Sequence, residues 1–248
     1  EEFGEPCWQI DDAKVLFALN DTFLPFLKKT LDENAFSAVE QSLLTAMSRR
    51  FPKKTATGEY YLFEKLTRFK LLSYLRRELR EEAKPFVVMA GETSLKTELA
   101  TGTFSVRLKG RIDRIDHIED DDEYRITDYK TGGDPQYPAG LVKVLPFSNC
   151  RELHNTMKTV QLPVYIHLLS ETSRIPVAKI NGRLVLLRTN KEEMLFKNLS
   201  AGAREEFHHH LMEGISMILA DILDPDIPFS PFDDRQCRTC PCRSLCHL

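Results

Sequence analysis

The chain has 248 residues, enough for one sizeable hydrophobic core. Lysine and arginine number 34 against 37 aspartates and glutamates, for a formal charge of -3. That excludes a generally basic coat as the means of holding nucleic acid, though it leaves room for a local basic site. No run of about 18 apolar residues occurs, so no membrane-spanning segment is expected. The start, Glu1 to Trp8, has neither the basic nor the apolar region of a secretory signal and no initiating Met. It reads as a processed chain or a piece cut from a larger protein, with a cytoplasmic setting.

The first third has helical periodicity. Val15, Leu16, Leu19, Phe23 and Phe26 predict a helix over 14–28. Asp32 is placed to cap a second helix carrying Phe36, Val39, Leu43, Leu44 and Met47, which should stop near Phe51, before Pro52. A loop signal over 55–58 precedes a long helix over 59–82, whose later part alternates charge sign as a solvated face does. The middle changes period: strands are expected over 94–99, 103–118 and 124–131, the last two joined by the acidic turn Glu119–Glu123. That turn reads as solvent-facing rather than as a calcium loop. Residues 136–156 look irregular. A helix over 157–170 should follow despite Pro163, then a strand over 179–189 interrupted near Gly182, then a helix over 201–223.

This order gives an α/β class: a central mixed sheet flanked by helices, with a helical N-terminal part (1–92), a core (93–223) and a Cys-rich tail (224–248). The phosphate-cradling GxxxxGK[ST] pattern is absent, as is a dinucleotide-binding fingerprint, so a motor or dehydrogenase reading has no support within this chain.

The chemistry concentrates in Gly110-Arg-Ile-Asp113-Arg-Ile-Asp116 and Ile126-Thr-Asp128-Tyr-Lys130-Thr-Gly132. Residues two apart on a strand share a face, so Asp128 and Lys130 point one way and Tyr129 the other. Antiparallel pairing can bring Asp113 beside Asp128. Two close carboxylates repel unless a cation compensates, and oxygen ligands suit Mg2+ or Mn2+. Such a metal would polarise a phosphoryl oxygen and activate water, with Lys130 orienting that water. Arg107, Lys109, Arg111 and Arg114 put positive charge nearby, of the kind that attracts a phosphate backbone. His208, His209 and His210 fan around a helix and cannot share one ion.

Four of the six cysteines, Cys237, Cys240, Cys242 and Cys246, fall at the very end; Cys7 and Cys150 lie apart. A terminal knot in a Cys-poor chain reads as a metal or cluster site in a reducing compartment rather than a disulfide framework.

The Asp113, then Asp128-x-Lys130 pattern resembles the PD-(D/E)XK nuclease superfamily, whose fold is restriction-endonuclease-like. GRIDRID followed by ITDYKTG, with Gln161-Leu-Pro-Val-Tyr165, is similar to its RecB-like branch, nearest to the nuclease domains of AddB-type helicase-nucleases, with Cas4-like nucleases second. The resemblance implies a DNA nuclease in which Asp113, Asp128 and the Tyr129 carbonyl hold Mg2+ or Mn2+, Lys130 assists hydrolysis, and Arg114, Gln161 and Tyr165 position DNA. It further implies exonucleolytic action beside a helicase partner in double-strand break repair. Where the family often has a metal-ligating His on an early helix, this chain has Asn20, with Asp21 as an alternative. Glu98 resembles a recurring family acid. Cys237, Cys240 and Cys246 with Cys7 resemble a 4Fe-4S set; Cys242 leaves a local zinc site open. A non-catalytic DNA-binding or assembly module on the same fold is the competing expectation.

Overall fold

The computed structural model describes residues 12–51, 58–80, 83–101, 104–131, 137, 146–157, 159–227 and 240. Three helices come first: α1 (Asp12–Phe23), α2 (Phe36–Arg50) and α3 (Gly58–Glu78). α1 stops short of the expected end because Pro25, which has no N–H to donate, turns the chain into a short 3-10 segment over Leu24–Phe26. Asp32 does act as a cap: its carboxylate accepts the N–H groups of Asn34 and Ala35, closing the 3-10 turn that leads into α2. Phe51 ends α2 as expected.

Among the described residues six strands form one sheet in the order of the chain: β1 (Thr30–Leu31), β2 (Phe86–Thr101), β3 (Phe104–Ile118), β4 (Glu123–Lys130), β5 (Ile180–Leu186) and β6 (Lys191–Met194). All neighbours are antiparallel except β4 and β5, which are parallel and joined through α4 (Cys150–Thr156) and α5 (Gln161–Ser173). α6 (Ala201–Leu223) is the last helix or strand among the described residues. β1, β6 and α4 are absent from the sequence expectation, and β2 starts at Phe86 rather than Ser94. β5 runs unbroken through Gly182, which leaves room for Leu162: a Cβ there would lie 3.2 Å from that side chain.

Helices cover both faces of the sheet. On one, α1, α2 and α3 bury Leu19, Val39, Leu43, Leu71 and Leu75 against Phe86, Val88, Tyr129 and Val185. On the other, Leu162, Ile166 and Leu169 of α5, with Phe207 and Leu211 of α6, pack on Ile115, Ile126, Ile180 and Leu184. The alternation along β4 and β5 sorts the residues between these cores. β3 breaks it: Ile112 and Ile115, three apart, both enter the α5 core. The break faces Glu92 on β2, whose φ of 45° lies in the left-handed region. Asp113 sits at that irregularity. Among the described residues no helix is long and apolar enough to cross a membrane.

Candidate active site

Asp113 and Asp128 come together as adjacent antiparallel strands require. Arg114 pairs with Thr127, so Asp113 lies one step further along, toward Asp128. The Asp113 carboxylate accepts the Tyr129 backbone N–H at 2.9 Å, which fixes it against β4. Lys130 lies on the Asp128 side of β4, its Nζ 2.7 Å from Asp128 Oδ2. The same ammonium donates to Gln161 Oε1, at the first turn of α5. Tyr165, one turn on, shares that face of the helix. Gly110 lets Tyr165 pack on β3: a Cβ there would stand 2.7 Å from the ring.

The charge balance of the site is uneven. Burial, joined by the charges of Asp128 and Glu92, pushes Asp113 up to about 6 despite the Tyr129 N–H and Lys130. Burial also raises Asp128, against Lys130. Burial and then the two aspartates push the Tyr165 hydroxyl up to about 12. The site therefore holds more negative charge than its own lysine compensates.

Glu92 is the acid that the sequence reading missed. It accepts from Asn20 Nδ2 at 2.9 Å and lies 3.6 Å from Arg111 Nη2. The strand expected from Ser94 leaves Glu92 outside it; the signal for its earlier start is the apolar run Phe86–Ala90 leading into Gly91. Glu98 lies on the far part of the hairpin, opposite Arg107. Asp21 is held by Arg50 at 2.9 Å.

Arg114 corrects the expectation of a DNA contact. It is about 1% exposed and lies across the sheet from Asp113. Its guanidinium donates to Glu78 (2.6 Å), Asp116 (2.8 Å) and the hydroxyls of Tyr74 (3.1 Å) and Tyr129 (2.8 Å), beneath the Phe23 ring. Arg125 and Arg183 donate to the same Glu78 carboxylate. Burial alone would raise Glu78, but Arg183, Arg114 and Arg125 hold it well below the usual carboxylate range. The break in the alternation of β3 is the cause: Arg114 takes the face opposite to that of Ile112, two residues before it. Tyr129 thus serves both sides, with its N–H on Asp113 and its hydroxyl in this network.

The residues present suit a hard divalent cation. The donors are the Asp113 and Asp128 carboxylates and the Asn20 Oδ1, a buried oxygen that accepts no hydrogen bond. Asn20 and Asp113 line one narrow recess between α1 and the sheet. The set is short of acids: among the described residues no three His, Cys, Asp or Glu side chains converge as a metal-holding group. Of the cysteines, Cys240 is exposed and unpaired, while Cys7, Cys237, Cys242 and Cys246 lie outside the described residues.

An α/β core with an Asp facing an Asp-x-Lys on the neighbouring strand defines the class of restriction-endonuclease-like folds. The family follows from comparison: the sequence model of the PD-(D/E)XK nuclease superfamily matches residues 21–247, and the chain belongs to that superfamily. No curated protein matches the sequence. Among solved structures, one titled "Crystal structure of SSO0001" aligns over 94% of this chain and 83% of its own, at 15% identity and a TM-score of 0.33.

Proposed function

We propose that this chain is a Mg2+- or Mn2+-dependent deoxyribonuclease. The observation that carries the reading is the meeting of Asp113, Asp128 and Lys130 under Gln161, in a superfamily of nucleases. Asp113, Asp128 and the Asn20 amide oxygen would hold the cation, which when bound polarises a phosphoryl oxygen and lowers the pKa of water. Lys130, aimed by Asp128 and Gln161, holds and orients the attacking water and steadies charge on the phosphate. Tyr165 and Gln161 border the path of the strand. The resemblance to AddB-type domains supports exonucleolytic work beside a helicase partner, and a cluster or zinc ion on the terminal cysteines, which iron and zinc analysis of anaerobically purified protein tests.

The test is hydrolysis of end-labelled single- and double-stranded DNA with Mg2+, Mn2+ or EDTA, comparing the parent chain with Lys130→Ala and Asp113→Asn. Cutting should need the metal and fall roughly 100-fold or more in either variant. Undiminished cutting by folded Lys130→Ala sinks the assignment. DNA binding without any cutting by the parent chain favours the second reading, a silent module, for which Asn20 at the expected histidine position is the supporting feature.

A further inference from the structure

The outer half of the β2–β3 hairpin carries a row of cations that the site above does not use. Arg107, Lys109 and Arg111 alternate along β3 and are all exposed. Lys96 on β2 stands directly opposite Lys109. Exposed Ser94, Ala100 and Ser105 share the hairpin with them, and Glu98, opposite Arg107, is the single acid of the ribbon's exposed set. Like charges directly opposite one another on a sheet are destabilising unless an anion lies between them. Among the described residues, none of Lys96, Arg107 and Lys109 has a carboxylate partner within ion-pair distance. The ribbon is held from behind: Leu95 and Leu108 pack against the α5 core. The row also leads somewhere, since Arg111 lies beside Glu92, which is bound to Asn20 and acts on Asp113.

We propose that Lys96, Arg107, Lys109 and Arg111 form a track for the phosphate backbone of one nucleic-acid strand, delivering it to Asp113. Side chains two apart on a strand are about 6.8 Å apart, so the β3 row extends about 14 Å in a straight line. Lys96 adds a second cation about 5 Å to the side. A duplex presents two backbones across a groove about 6 or 12 Å wide. The two columns of cations, about 5 Å apart, do not span either width, so they meet one backbone at a time, as in the basic grooves that guide single strands. This rests on the nucleic-acid reading of the site and adds to it the surface by which the strand arrives.

The experiment measures binding of a single-stranded DNA oligonucleotide and a duplex in EDTA, across 50 to 200 mM salt, so that hydrolysis plays no part. Each phosphate contact contributes about 0.7 to the slope of log K against log salt for a single strand. The double variant Arg107→Ala/Lys109→Ala should make the single-strand slope shallower by about 1.4. The charge-keeping Arg107→Lys/Lys109→Arg should retain it, and Lys191→Ala/Lys197→Ala, with the same charge removed elsewhere, should leave it unchanged. An unaltered slope in the first variant, or an equal loss in the Lys191/Lys197 control, overturns the track while leaving the nuclease reading intact. A duplex slope that falls while the single-strand slope does not overturns the choice of ligand. A parent chain that binds neither DNA overturns both readings.

Discussion

Asp113 shows what the folded chain tolerates for its chemistry. Its carboxyl titrates near 6, above the value of about 4 for an exposed aspartate. The folded state therefore binds the extra proton between about pH 4 and pH 6, and that proton's stabilisation is full below about pH 4 and lost as pH rises through 6. In EDTA, Asp113→Asn should raise stability at pH 7.5 by on the order of 1–3 kcal/mol, and the gain should vanish near pH 4. Urea denaturation at the two pH values checks this; a variant less stable than the parent at pH 7.5 contradicts it. That Asp113 lies beside Asp128 was legible from antiparallel pairing, and that Lys130 shares the face of Asp128 was legible from the alternation of β4. Arg114 misleads because it lies close to Asp113 in sequence, whereas the break in the alternation of β3 sends it to the other face of the sheet. Glu92 is hidden because the expected strand begins only at Ser94, although the apolar run Phe86–Ala90 marks its earlier start.

At the level of elements, contact between α5 and β3 depends on Gly110. The virtual Cβ would meet Tyr165 Cε1 at 2.7 Å and Leu168 Cδ1 at 2.9 Å, and neither side chain is free to leave a packed core. Gly110→Ala should cost about 1–3 kcal/mol in thermal or urea unfolding and displace Tyr165 from the cleft. Wild-type stability combined with an unmoved Tyr165 pKa would show that the close approach is not needed. The long periodic helices α2 and α6 and the strands β3 and β4 were readable because each has enough residues to show its period. β1, β6 and α4 are too short for that: Lys191–Met194 has no apolar alternation, and α4 spans only Cys150–Thr156. Pro163 did not end α5 because it falls in the first turn, where its missing N–H has no helical partner to lose.

At the scale of the whole molecule, a buried charged layer joins α3, β3, β4 and β5. Three guanidiniums, of Arg114, Arg125 and Arg183, share the Glu78 carboxylate. Glu78→Gln would leave them to Asp116, and removing one partner of such a buried set costs about 3–5 kcal/mol. Chemical denaturation measures that loss; a change below about 1 kcal/mol would mean that the layer relaxes around it. The α/β class and mixed sheet were visible in the sequence through the change of period, yet this layer was not, because its members lie far apart along the chain and only the sheet order unites them. That order has a bearing on how the protein is made. β2, β3 and β4 are successive antiparallel neighbours, whereas β5 reaches β4 only after the chain has passed through α4 and α5. Local pairings close faster than long crossovers, and chains emerge from the ribosome N-terminus first. Asp113, Asp128 and Lys130 are thus joined by short-range pairing, whereas Gln161 and Tyr165 reach them only through the longer crossover, so the helix that borders the cleft depends on the slower contact.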